Sequence, residues 1–387
     1  VGLDVHKDTT TVAVAEAGRD GEVRLYGKIS SELHAVEKAL RKIRGEHGVL
    51  HVAYEAGPTG FGLHRRLVQL GIDSIVVAPS CIPHPKGGRQ KTNRRDALQL
   101  ARLHRAGELG AIHVPDAVDE SLRDLTRTRG DASRDLKRAK QRLKSFLLRY
   151  GYHYTGRANW SEAHQRYLRE LELPLPALKS VLEEYLLAIT QATERLARLD
   201  DLVAAQVPGW RLYPAVQALM CLRGFQLVAA SILVAEINQV QRFNHPRGMM
   251  AYLGLVPKEA STGDSRRLGA ITKAGNAQAR WILVEASQHV HLPPKVSKEL
   301  AARQEGQPEV YRRIAWKAQT RLHRRYWHLM RRGVMPAKVK VAIARELVGF
   351  VWDVLRNVSE MGATPAQQPR AATRRAPRGA PRLVAAR

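Results

Sequence analysis

The order of strand-like and helix-like runs in the first 105 residues restricts the fold more than any other feature of the chain. "VGLDVH", "TTTVAVAEAG" and "DGEVRLYGKIS" are rich in β-branched residues, and "GRDG" between the last two suits a tight turn. Residues 31–45 then change period, with apolar side chains every three or four positions. Ser31 is the expected N-cap of that helix and Gly45 its expected stop. "VLHVAYEAG" follows as a fourth strand, "PTGFGLHRRLVQLG" as a second helix with Pro58 in its first turn, and "IDSIVVAP" as a fifth strand. A further helix begins near residue 93.

Three strands in a meander, then helix, strand, helix, strand, helix, is the order of an α/β ribonuclease-H-like domain, here expected over residues 1–114. In such a sheet the first and fourth strands are neighbours. Asp4 and Glu55 stand at the ends of those two runs, and Asp96 opens the helix after the fifth. Carboxylates gathered in this way suit a hard cation, Mg²⁺ or Mn²⁺, shared with phosphate and water in phosphodiester chemistry. Asp8 is the nearest competitor and is read as a local turn residue.

Lys and Arg total 63 against 36 Asp and Glu, a formal charge of +27, which points to a polyanionic partner. Part of that excess lies in residues 115–205, where Leu122, Leu125, Leu136, Ala139, Leu143 and Phe146 or Leu147 form an apolar stripe opposite a basic face. A second amphipathic helix over about 174–205 would pair with it as an antiparallel coiled-coil arm; an ordinary helical linker with a solvated basic face is the plainer reading. Residues 206–330 form a mainly α block whose start, "LMCLRGFQLVAASILVAEI", has the outline of a helix-hairpin-helix. Helices are expected over 331–361 and a disordered basic tail over 362–387, which has six Arg and no acid. Cys81 and Cys221, far apart in apolar-leaning stretches, read as buried thiols of a cytoplasmic protein. No apolar run is long enough for a membrane span and no signal-peptide pattern is found.

"GLDVHK", "YEAGPTG", "KTNRRDALQLARL" and "AYLGLVPKEASTGDSRRLGAITKAGNAQARWILVEAS" occur in an order that resembles the DEDD transposases of bacterial insertion sequences, the group that includes the Piv/MooV DNA invertases. The resemblance implies a RuvC-like N-terminal domain, a coiled-coil region and a C-terminal transposase domain with a nucleophilic serine. It implies recombination of donor and target double-stranded DNA guided by a structured non-coding bridge RNA. It further implies dimers that pair into a tetrameric synapse, working in the cytoplasm at the nucleoid.

Matched by position, Asp4, Glu55 and Asp96 are the first, second and fourth acids of the motif, and the third falls on Asn93. An amide oxygen coordinates a hard cation but carries no charge, so weaker metal binding is expected. The nucleophile falls on Ser261 or its neighbour Thr262, with Ser261 preferred. Lys91, Arg94 and Arg95 near the acids, and Arg266, Arg267, Lys273 and Arg280 near the serine, are the expected phosphate contacts. A junction-cleaving nuclease that uses water, and a non-catalytic nucleic-acid-binding remnant, are the alternatives. "GPTGFG" lacks the Gly-Lys-Ser/Thr ending of a nucleotide-binding P-loop, and the histidines lack the cysteine pairing of a structural zinc site.

Overall fold

The computed structural model describes residues 1–18, 20–83, 92–259, 265 and 267–362. Lys91, Ser261, Thr262, Arg266 and the basic tail from 363 onward lie outside the described residues. The chain divides into two compact units, one of Val1–Leu125 with Lys273–Gly275, the other of Thr126–Thr272 with Asn276–Arg387.

The first unit is built on five strands: β1 (Gly2–Val5), β2 (Thr9–Ala15), β3 (Val23–Ser30), β4 (His51–Glu55) and β5 (Asp73–Val77). Their order across the sheet is β3-β2-β1-β4-β5, with β1, β2 and β3 antiparallel and β1, β4 and β5 parallel. This mixed sheet is consistent with the expected ribonuclease-H-like class. Helices α1 (Leu33–His47) and α2 (Gly62–Gln69) cover one face. Leu3, Val12, Val36, Leu40, Val52, Tyr54 and Leu67 make the core there. Helix α3 (Asn93–Arg105) packs on the other face through Ala97 and Ala101, small enough to lie directly on Ala13.

Several local expectations are corrected. Ser31 does not cap α1; its hydroxyl donates to the His6 carbonyl at 2.7 Å and lies 2.7 Å from Thr10 Oγ1, tying the β1–β2 turn to the end of β3. Gly45 is inside α1, and Gly48 closes that helix with a φ of 80°, a conformation glycine adopts without strain. Pro58 precedes α2, which starts only at Gly62. Cys81, expected to be buried, is exposed, whereas Cys221 is buried.

Residues beyond 115 are mostly helical. Helix α4 (Ala117–Arg149) runs for 33 residues, and α5 (Glu162–Glu170) and α6 (Pro176–Gln206) follow it. Arg129 of α4 pairs with Asp200 of α6, Asp135 accepts from Arg195 at 3.3 Å, and Phe146 packs on Tyr185. Contacts that rise along α4 as they fall along α6 mean an antiparallel pair. Leu143, Phe146, Leu147, Leu182 and Ile189 form its core, and α5, which periodicity did not reveal, adds Leu168.

The rest of the second unit comprises α7 (Tyr213–Met220), α8 (Leu227–Ile237), α9 (Pro246–Tyr252), a hairpin of β6 (Pro257–Glu259) and β7 (Leu268–Ile271), then α10 (Ala277–Ala286), α11 (Lys298–Gln304), α12 (Glu309–Arg331) and α13 (Pro336–Gly362). The turn between α7 and α8 contains Gly224 at φ 95°, and a Cβ there would stand 2.4 Å from the Ala286 carbonyl oxygen. Only glycine permits both the turn and the close approach of α10.

Candidate active site

The parallel register of β1 and β4 sets Gly2 against Ala53 and Leu3 against Tyr54. One step further along both strands come Asp4 and Glu55. Residues level with one another on adjacent strands project to the same face, and adjacent strands lie about 4.8 Å apart. Leu3 and Tyr54, fully buried among the α1–α2 core, point to the opposite face. Both carboxylates therefore belong to the face that α3 covers.

Helix α3 runs against β1. A Cβ on Gly2 would meet the Ala97 carbonyl oxygen at 2.4 Å and the Ala101 nitrogen at 2.5 Å, so the middle of α3 lies on the start of β1. The C-terminal end of α3 is tied back by Arg105, which donates to the carbonyls of Gly21 at 2.5 Å and Glu16 at 3.5 Å. Its first turn thus extends toward the C-terminal end of β1. Asn93 is one turn before Ala97, about 6 Å along the axis, and Asp4 is two residues past Gly2, about 7 Å along the strand. Asn93 shares the stripe of Ala97 and Ala101. Asp96 is displaced toward the stripe of Leu100, which packs on Val77 of β5, next to Glu55. Sheet register and helix phase thus bring Asp4, Glu55, Asn93 and Asp96 to one end of the first unit.

Asp4 is nearly buried at 9 % exposure, and His6 Nε2 stands 3.1 Å from its Oδ2. Glu55 and Asp96 are half-buried and Asn93 is exposed. Thr92 caps α3, its hydroxyl accepting from the Arg95 amide, and the acid Asp96 in the first turn complements the helix dipole. The loop after Glu55 is fixed by Tyr54, whose hydroxyl donates to the Gly60 carbonyl and accepts from the His64 amide. Burial pushes the Tyr54 phenol up to about 12, so it serves as a neutral strut. Arg94 and Arg95 are exposed at the same helix start.

Among the described residues no three His, Cys, Asp or Glu side chains stand close enough together to hold a metal ion. The donor set still fits a hard cation in its chemistry: oxygen only, from strand ends and one helix turn. Mg²⁺ characteristically takes one or two carboxylates and completes its shell with phosphate and water.

The serine segment belongs to the second unit. Pro257 pairs with Ile271 and Glu259 with Leu268, making β6 and β7 an antiparallel stem; Ser261 and Thr262, which come between these strands in the sequence, lie outside the described residues. Thr272 donates its amide to the Val256 carbonyl at 2.8 Å, closing the stem. Arg267 and Lys273 are exposed, Lys273 with a φ of 56°. Arg280 is half-buried and donates to the Leu253 carbonyl at 2.9 Å, so part of its guanidinium holds the end of α9.

A polar node beside this stem was missed in the sequence. Glu236, at the end of the apolar helix α8, is buried and receives two hydrogen bonds from Arg127 of α4, at 2.7 and 2.9 Å. It also accepts from Asn276 Nδ2 at 2.6 Å, while Asn276 Oδ1 caps α10 by accepting from the Ala279 amide. The node fixes the junction between the hairpin and α10. Its signal was present: an acid inside "LVAASILVAEI" must be paired if the helix is buried.

Comparison with known proteins finds two matched regions, the first of which runs past the end of the first unit. Residues 1–152 match a DEDD-type domain described as a transposase, and residues 216–300 match the family described as Transposase IS116/IS110/IS902 family. The chain is 42 % identical to "Putative transposase y4qE" of Sinorhizobium fredii over 93 % of its own length and 89 % of the relative's. It is 30 % identical to the transposase for insertion sequence element IS1533 of Leptospira borgpetersenii, over 85 % of this chain and 96 % of that one. With two regions of the chain matched and a relative aligned along nearly its full length, the chain belongs to the IS110/IS116 family of insertion-sequence transposases, enzymes that catalyse DNA strand transfer.

Proposed function

We propose that this transposase excises and inserts its element through a serine nucleophile, Ser261 with Thr262 as the alternative, working with the carboxylates of a RuvC-like domain. The register that sets Asp4 beside Glu55, with the first turn of α3 extending toward them, is the observation that carries the proposal. In this reading residues 1–114 are the RuvC-like DEDD domain, 115–205 a coiled-coil arm and 206–330 the serine domain. The 331–361 helices and 362–387 tail complete the chain.

The Ser261 oxygen attacks a DNA phosphorus, the bond from phosphorus to the 3′ oxygen breaks, and that oxygen takes up a proton. The phosphoserine ester keeps the bond energy, so attack by another strand's 3′ hydroxyl restores the serine and rejoins DNA without ATP. Asp4, Glu55 and Asp96, with the Asn93 amide oxygen, would hold Mg²⁺ or Mn²⁺, which when bound stabilises charge on the phosphate and leaving oxygens. Lys91, Arg94 and Arg95 grip the phosphate backbone beside the acids, and Arg266, Arg267, Lys273 and Arg280 do so beside the serine. A structured non-coding RNA selects donor and target DNA, and two dimers assemble the synapse. The work is done in the cytoplasm, at the nucleoid.

The test is excision of a marked element, with its natural flanks, by the chain supplied in trans. Excision is expected to vanish in Asp4→Ala, Glu55→Ala and Asp96→Ala, and to lose its targeting when a structured non-coding flank is deleted. Wild-type excision by Asp4→Ala would refute the carboxylate site.

A further inference from the structure

Helix α12 buries one face, through Tyr311, Ile314, Ala315, Ala318 and Leu322, and exposes the other. The exposed face combines an aromatic ring with cations. Trp316 is 50 % exposed, and Arg312, Arg313, Lys317 and Arg324 around it are exposed as well. At 100° per residue Arg313, Lys317 and Arg324 fall within about 40° of one another, forming a row roughly 16 Å long on one side of Trp316. Arg312 lies on the other side.

These groups make no side-chain hydrogen bond, ion pair or ring contact among the described residues. Arg321 and Arg325, further round the helix, are both paired with Glu346 of α13, at 3.2 and 3.1 Å. Arg312, Arg313, Lys317 and Arg324 have no ion pair among the described residues. The other partly exposed indole of α12, Trp327, donates its N–H to the His291 carbonyl and sits edge-on to Tyr326. The Trp316 ring has neither a hydrogen bond nor a ring contact among the described residues.

We propose that this face of α12 binds a single strand of DNA, with Trp316 stacked on an unpaired base and the flanking cations on its phosphates. A basic row alone would suit duplex and single strand equally, because both present phosphate. The unengaged indole decides between them. Bases in a duplex are already stacked, whereas an unpaired base offers a free π-face that an aromatic side chain can cover. DNA is the occupant because strand transfer, the family's activity, cuts DNA, and a freed strand end can part from its complement and present unpaired bases. This inference rests on the family's strand transfer and is independent of which residue is the nucleophile.

The test is fluorescence anisotropy of the full chain with a labelled oligonucleotide of about 15 nucleotides, as single-stranded DNA, as duplex and as RNA. Trp316→Ala is expected to weaken single-stranded DNA binding at least about fivefold, with duplex binding within about twofold, and Trp316→Tyr to restore most of the loss. Arg313→Glu with Lys317→Glu is expected to weaken both DNAs and to flatten the salt dependence of single-strand binding by about 0.7 per lost phosphate contact. About half of the Trp316 surface is covered, so Trp316→Ala is expected to lower the melting temperature by about a few degrees while leaving the chain folded at assay temperature. Unchanged single-strand affinity in Trp316→Ala, an equal loss on duplex, or a loss confined to RNA would each overturn the assignment.

Discussion

Asn93 is the residue on which the metal chemistry proposed for the first unit turns. It stands at the N-terminus of α3, on the stripe that packs over β1, where the motif has an acid. In the proposed metal site an amide there would supply an oxygen without charge, leaving a divalent cation one negative charge fewer. Asn93→Asp is expected to raise Mg²⁺ affinity about tenfold, read by isothermal titration, and to raise strand cleavage at low Mg²⁺ with it. No change in either would mean that position 93 is not a ligand. The placement of Asp4 and Glu55 on neighbouring strands was legible in the sequence because each stands at the end of a recognisable run, and strand order alone makes β1 and β4 neighbours. Glu236 was not. Its meaning depends on Arg127, 109 positions earlier, and on Asn276, 40 positions later, and no local pattern joins the three.

At the scale of elements, the seating of α3 on β1 sets where the first turn of α3 lies relative to Asp4 and Glu55. Gly2, Ala97 and Ala101 have almost no side chain between them, and the backbones approach until an added methyl would overlap. Gly2→Ala is expected to lift α3 from the sheet, costing about 1–3 kcal/mol in denaturant melts, and to reduce cleavage more than DNA binding, because the arginines proposed to grip phosphate stay on the surface. Equal losses in both would show that α3 does not position the acids. Helix existence followed from periodicity, whereas helix ends did not: α1 continues through Gly45 to Gly48 because a single glycine inside a well-packed amphipathic helix is tolerated. The antiparallel pairing of α4 and α6 was expected from two apolar stripes. The intervening α5 was not, since its short run offers only two buried residues, His164 and Leu168.

At the scale of the whole molecule, three partly or fully enclosed histidines give stability a common pH dependence. Burial lowers the pKa of His64, His104 and His164, helped by the Arg65 guanidinium at His64 and the Lys144 ammonium at His164. The unfolded chain binds protons near pH 6.5 that the fold refuses, so stability is full above that value and falls as pH drops below it. His164 Nδ1 accepts the Trp160 amide at 3.0 Å, a bond that protonation removes. The melting temperature is expected to fall between about pH 7 and pH 5, and His164→Gln to reduce that slope; a slope unchanged in the variant would assign the effect elsewhere. The excess of positive charge pointed to nucleic acid at once, but not to how it is used: some of the cations, such as Arg127 and Arg129, are spent on internal ion pairs, while those around Trp316 are not.

The central claim is that the carboxylates of the first unit and a serine of the second act in one strand-transfer reaction. It is tested most directly by trapping the protein on a cleavable DNA substrate under denaturing conditions. The account predicts a covalent protein–DNA adduct in the presence of Mg²⁺ that disappears in Ser261→Ala and in Asp4→Ala and survives in Thr262→Ala. Cleavage that proceeds undiminished in Ser261→Ala, with no adduct at any time, would contradict it and leave water as the nucleophile.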